Sequence, residues 1–94
     1  MATVTDERIK RIADKNGFCG IVLKLQEELA EALEAVNEYA DGPGNEKEEQ
    51  HLIEELVDVA IMTDQFALKF RLQADFEKWR EFKINRTLER MGLK

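Results

Sequence analysis

Two acidic clusters carry the chemistry this chain is equipped for: Glu27-Glu28-Leu29-Ala30-Glu31 and Glu54-Glu55-Leu56-Val57-Asp58, on either side of Gly42-Pro43-Gly44. In each, the second and last carboxylates are three residues apart, which on a helix sets them about 4.5 Å apart along the axis and on one face. The cluster centres, Leu29 and Leu56, are nearly equidistant from Pro43, so a chain folded back at that proline brings them to one height. Carboxylates facing each other across such a hairpin repel unless a divalent cation sits between them. An all-oxygen set of Glu28, Glu31, Glu55 and Asp58 selects a hard cation, with Mg²⁺ or Mn²⁺ the natural candidates. Mg²⁺ keeps waters and open positions, and its usual work is to bind substrate phosphates and present a water for attack. The competing reading is a solvated acidic face, against which the matched repetition of the two clusters weighs.

The elements that must position these residues are helical. A short helix is expected over about 6–15, capped by Asp6, with Ile9 and Ile12 inward, and ended by Asn16-Gly17. A second, over about 20–40, carries Ile21, Leu25, Leu29, Ala32, Val36 and Tyr39 at three-four spacing, one buried stripe. The break at 41–45 is short and favours antiparallel neighbours. A third helix, over about 46–70, has Leu52, Leu56, Val59, Thr63, Phe66 and Phe70 as its stripe. A weak break around Arg71-Leu72-Gln73 precedes a fourth, over about 74–91, with Gly92 after it.

At about 100° per residue, Glu28 lies roughly 60–70° from the centre of its stripe, and Glu31 about 60° farther round. Glu55 and Asp58 repeat those offsets. Glu28 and Glu55 are therefore expected at the edge of what two packed helices bury, where a carboxylate costs several kcal/mol unless a counter-charge compensates it. The run Val57-Asp58-Val59-Ala60-Ile61-Met62 is apolar on nearly every side, which implies cover from a second copy of the chain and a homodimer at least.

The 94 residues make one domain, residues 1–94, whose 44% hydrophobic and 36% charged composition describes a helical protein rather than a disordered one. No apolar run approaches the roughly 20 residues of a membrane span. The N-terminal residues carry acids early and lack a signal-peptide core, so a cytoplasmic location is expected. A single cysteine, Cys19, allows no internal disulfide, and it reads as a small buried side chain rather than a nucleophile. The net charge of −6 is segregated: residues 27–64 hold thirteen acids and one base, Lys47, whereas residues 65–94 hold eight bases and four acids. An acidic hairpin argues against nucleic acid as its partner. Acidic and basic segments together suit a ligand that brings both phosphates and metal.

The pattern Lys24-x-x-Glu27-Glu28-x-x-Glu31, then Glu54-Glu55-x-x-Asp58, with 23 residues between Glu31 and Glu55, resembles the MazG-like all-α nucleoside triphosphate pyrophosphohydrolases. The resemblance takes in the Asn16-Gly17 segment and the late Lys83-x-x-Arg86 followed by Arg90. It implies an all-α fold, an antiparallel helical hairpin plus flanking helices that forms a four-helix bundle on oligomerisation, as a homodimer or homotetramer. The activity implied is Mg²⁺-dependent cleavage of a nucleoside triphosphate between the alpha and beta phosphates, giving monophosphate and pyrophosphate. Carried onto this chain, Glu28, Glu31, Glu55 and Asp58 are metal ligands, and Glu27 and Glu54 are catalytic carboxylates that orient or deprotonate the attacking water. Lys83 and Arg86 are phosphate contacts. Lys24 is either a further one or the ion-pair partner of Glu28 one turn on, the plainer reading. Many short relatives have glutamine where this chain has Ile21.

Glu48-x-x-His51 is similar to the ligand pairs of di-iron four-helix proteins. Those need two such pairs and His51 is the only histidine, so a solvated His51 is the expectation. The rival from another class is a non-catalytic dimerising helical module whose acids are surface charge. Within the family, the rivals are relatives selective for dUTP, dCTP or phosphoribosyl-ATP. Phe18, Tyr39 and Trp79 could each stack on a base, but core packing is the expected role of all three.

Overall fold

Asp6 starts the first helix: its Oδ1 accepts from the Arg8 backbone N–H at 2.9 Å, satisfying a donor that has no partner within the helix. The Arg8 guanidinium closes on the same carboxylate at 3.1 and 2.8 Å. Those hydrogen bonds hold the Asp6 carboxyl down to about 2. The computed structural model describes residues 6–42 and 44–94, which form α1 (Glu7–Asp41), α2 (Glu46–Lys69) and α3 (Gln73–Arg90). No strand occurs among the described residues, and no helix is long and apolar enough to cross a membrane.

Where the sequence suggests two helices before the turn, the structure has one, bent at Gly17. Gly17 stands at φ 69°, ψ −178°, a conformation essentially reserved for glycine. Helical turns continue directly on both sides, so a single residue redirects the chain without a linker. At the other end, Gly42 N–H donates to the carbonyls of Glu38 and Tyr39 at 3.3 and 3.2 Å, and Asn45 N–H to the Gly42 carbonyl at 3.1 Å. Pro43, on which the expected turn is centred, lies outside the described residues. Asn45 caps α2, accepting from the N–H groups of Lys47 and Glu48 at 3.0 and 3.2 Å. The second break falls where expected: Arg71, at φ 55°, ends α2 while Leu72 N–H reaches back to the Ala67 carbonyl at 2.8 Å.

Contacts between α1 and α2 run in opposite chain order, so the two helices form an antiparallel hairpin. Lys69 pairs with Asp14 at 3.2 Å, Gln65 accepts from Asn16 at 2.7 Å, and His51 meets Glu38 at 3.5 Å. Ala13, Ile21 and Met62 form the buried cluster, with Leu25 and Phe66 packed against it. Ala32 and Ala35 line the seam nearer the turn. Among the described residues, four of the six buried apolar residues are alanines, so only Ile21 and Met62 are sealed away as large apolar side chains, each worth about 1.5–3 kcal/mol.

Several expected core positions are therefore corrected. Leu29, Val36 and Leu56 are 50%, 43% and 50% exposed. The alanines let the backbones approach closely and leave the longer side chains splayed on the flanks. Phe18 and Trp79 are also exposed rather than packed in a core, while Tyr39 is half-buried. Cys19 is exposed too, because it falls on the face of α1 opposite Ile21. From α2, α3 leaves at an angle that brings Phe76 to 6.3 Å from Phe66, ring centre to ring centre, with no close backbone approach to α1. No residue of α3 is buried.

Open space surrounds Gly17 where a Cβ would go, so a substitution there tests the backbone alone. Gly17→Ala is expected to cost about 1–3 kcal/mol, read as a lower urea midpoint at unchanged m-value.

Candidate metal centre

Between the Ile21–Met62 layer and the alanines, α1 and α2 present carboxylates to each other. Glu28, Glu31 and Glu55 each offer an oxygen within 4.8 Å of the others. Glu28 and Glu31 come from one face of α1, one turn apart, and Glu55 from α2 across the seam. Glu28 Oε2 and Glu55 Oε2 are buried and have no hydrogen-bond partner. Burial pushes the carboxyl of Glu28 up, and the charges of Asp58, Glu31, Glu55 and Glu27 add to it. Burial is also the main cause for Glu55, reinforced by Glu31 and Asp58 and opposed only by His51. Asp58 is half-buried and acts on both through its charge, though it is not part of the three-oxygen group.

Three of the four carboxylates singled out by spacing thus converge, with the fourth at electrostatic range. The other expected site residues do not join them. Glu27 and Glu54 are exposed. Lys24 is exposed as well, and the ion pair with Glu28 does not form among the described residues; no cation counts among the influences on Glu28. Lys83 is exposed, and Arg86 lies over the Phe82 ring at 5.4 Å. Neither contributes to the field at Glu28 or Glu55.

His51 is solvated as expected, its side chain 42% exposed, but it also makes contacts across the hairpin. Its Nδ1 is 3.5 Å from Glu38 Oε2 on α1, and its Nε2 is 3.4 Å from Glu55 Oε1. The imidazole therefore bridges the hairpin and touches the carboxylate cluster from the turn side, with Glu48 completing a second group of possible donors. The i, i+4 relation of His51 to Glu55 was readable in sequence; the approach of Glu38 depends on how the helices are registered. Gln65, buried at 3% exposure, is the other residue the spacing did not reveal. It accepts from Asn16 at 2.7 Å and directs its Nε2 at Met62 Sδ, 3.3 Å away.

Chemically, the group is an oxygen-only, net negative cage with two unpaired buried acceptors. It fits a hard divalent cation, which would supply the charge and the coordination that Glu28 Oε2 and Glu55 Oε2 lack. Oxygen donors alone do not separate Mg²⁺ from Mn²⁺ or Ca²⁺. Comparison with known proteins adds no constraint: no family model, curated protein or solved structure matches the chain.

Raised carboxyls bind protons more tightly in the folded chain than in the unfolded one. Metal-free stability must then fall as pH rises from the ordinary glutamate value of about 4.3 through the raised folded values. Asp6, held down to about 2, has the opposite sign but acts below that window. Without metal, the thermal midpoint is expected to climb as pH drops from neutral toward about 5, and Glu55→Gln to flatten that slope and raise the neutral-pH midpoint. A wild-type midpoint that falls steadily over the same range would remove the case for desolvated carboxylates.

Proposed function

We propose that this protein is a divalent-cation-dependent nucleoside triphosphate pyrophosphohydrolase of the MazG-like kind, working as a homo-oligomer in the cytoplasm on surplus or non-standard nucleotides. The observation that carries the reading is the pair of buried, partnerless oxygens of Glu28 and Glu55 inside a three-carboxylate cluster. A solvated acidic face has no reason to bury them. Each such group costs free energy until a cation or proton satisfies it, and selection for a metal site accounts for that cost.

In this reading Glu28, Glu31 and Glu55 hold the cation, and Asp58 contributes charge beside them. A bound Mg²⁺ or Mn²⁺ supplies Lewis-acid polarisation of phosphate oxygens and a water of lowered pKa. Glu27 and Glu54, both exposed, would accept hydrogen bonds from the attacking water and orient it. The water oxygen bonds to the alpha phosphorus and gives its proton to one of these carboxylates, the bond from the alpha phosphorus to the bridging oxygen breaks, and pyrophosphate leaves with its charge offset by Lys83 and Arg86. His51 restrains the Glu55 carboxylate through Oε1, leaving Oε2 for the cation.

The test is a panel of standard and modified nucleoside triphosphates with Mg²⁺, scored for pyrophosphate rather than phosphate. Glu55→Gln is expected to reduce release by about 100-fold or more. In parallel, Mg²⁺ at 100 times its Kd should stabilise the wild type by about 2.7 kcal/mol and the variant by far less. A metal-stabilised protein that releases no pyrophosphate from any member of the panel would leave a metal-binding helical module in place of an enzyme. Absence of both effects would leave a plain helical module.

A further inference from the structure

At its turn end the hairpin holds a second group of donors, of different chemistry from the three carboxylates. Glu38 on α1 and Glu48 and His51 on α2, all half-buried, each offer one atom within 4.8 Å of the others. Glu48-x-x-His51 puts a carboxylate and an imidazole on one face of α2, and Glu38 meets them from the last turn of α1.

His51 separates this group from a patch of surface acids. Both of its ring nitrogens face carboxylates: Nδ1 lies 3.5 Å from Glu38 Oε2 and Nε2 3.4 Å from Glu55 Oε1. A neutral imidazole donates through one nitrogen only, so in either tautomer one lone pair is aimed at a carboxylate oxygen. Two acceptors so placed repel unless a positive charge lies between them. An imidazolium donating to both carboxylates would draw N and O to about 2.7–2.9 Å, closer than either contact here. Two ligands of one tetrahedral ion, each about 2.0–2.1 Å from it, stand about 3.3 Å apart, near the separation of Nδ1 and Glu38 Oε2. With Nδ1 on an ion, the Nε2–H faces Glu55 Oε1, the outer carboxylate that metal-binding histidines commonly have.

The surroundings leave the negative charge uncompensated. No basic residue stands in the last turn of α1, so Glu38 sits at the negative end of that helix dipole. Asp41, Glu46, Glu48 and Glu49 follow around the turn, and Lys47 is the one base in residues 38–50. Lys47 is exposed, and neither it nor Glu48 forms a salt bridge among the described residues, which leaves the Glu48 carboxylate free to turn onto an ion.

We propose that Glu38 Oε2, His51 Nδ1 and the Glu48 carboxylate bind one divalent transition-metal ion of the zinc class, with water in the fourth position. An imidazole nitrogen beside two carboxylates selects Zn²⁺ and its late first-row neighbours over Mg²⁺ and Ca²⁺, which take oxygen donors. The ion ties the end of α1 to the start of α2 across residues 41–45. By fixing the imidazole it also fixes the contact between Nε2 and Glu55. This site is separate from the oxygen-only cluster and does not depend on the pyrophosphohydrolase reading.

To test it, metal-free protein is titrated with Zn²⁺ by calorimetry in millimolar Mg²⁺, which competes for the oxygen cluster, and with Co²⁺ by visible absorption. One Zn²⁺ per chain is expected to bind, and Co²⁺ to show the intense bands of tetrahedral rather than octahedral coordination. His51→Gln and Glu48→Gln should each weaken Zn²⁺ binding at least about tenfold, with the helical circular dichroism unchanged in Glu48→Gln. Glu28→Gln should leave Zn²⁺ affinity within about twofold. Absence of saturable Zn²⁺ binding overturns the proposal, as does binding that His51→Gln and Glu48→Gln leave unchanged. Binding lost in Glu28→Gln but kept in Glu48→Gln would place the ion in the oxygen cluster and also overturn it. None of these outcomes bears on pyrophosphate release, so failure here leaves the proposed activity standing.

Discussion

Everything else in this molecule accommodates one constraint: carboxylates from two helices converge on a shared seam, with Glu28 and Glu55 half-buried there and Glu31 exposed beside them. Helices can approach closely enough to bury Glu28 and Glu55 only if the residues around them are small, and Ala32 and Ala35 meet that need on the turn side. Ile21 and Met62 close the seam on the other side. The same close approach sends Leu29, Val36 and Leu56 out to the flanks. A seam built to hold charge thus yields a thin core, and the apolar surface it fails to bury stays exposed on the flanks.

Polar contacts at either end set the alignment of the seam. Asn16 and Gln65 join α1 to α2 beyond Met62, and Lys69 reaches Asp14 one turn farther out. At the turn end His51 ties Glu38 to Glu55. The exposed ion pair contributes little by itself, whereas the buried Gln65 amide leaves unsatisfied groups in any shifted register. The Gly17 bend lets residues ahead of it follow α2 instead of running past it. Register matters here because a slip of one residue would turn Glu28 or Glu55 out of the cluster.

Charge segregation has a structural counterpart. The acids concentrate on the hairpin, the bases on α3, and α3 is the element least attached to the rest. A chain of this length can bury only a modest share of its surface. One amphipathic basic helix is thus left with no buried residue, while an acidic, partly apolar face stays exposed on another.

The local decisions were legible in sequence because they depend on neighbours a few residues away. Asp6 caps the first helix, the break at 41–45 reverses the chain, the break near Arg71 ends α2, and the i, i+3 spacing of Glu28 with Glu31 puts two carboxylates on one face. What the sequence could not show are contacts across the seam. His51 and Gln65 looked like ordinary polar residues because their partners, Glu38 and Asn16, are 13 and 49 positions away. Stripe membership misjudged Leu29 and Leu56, since periodicity gives direction around a helix but not the distance to the next one. Periodicity and caps determined the helices and the acidic faces; only packing decided that three carboxylates converge, that two of their oxygens go unpartnered, and that α3 stands apart, because burial is a property of the space between elements.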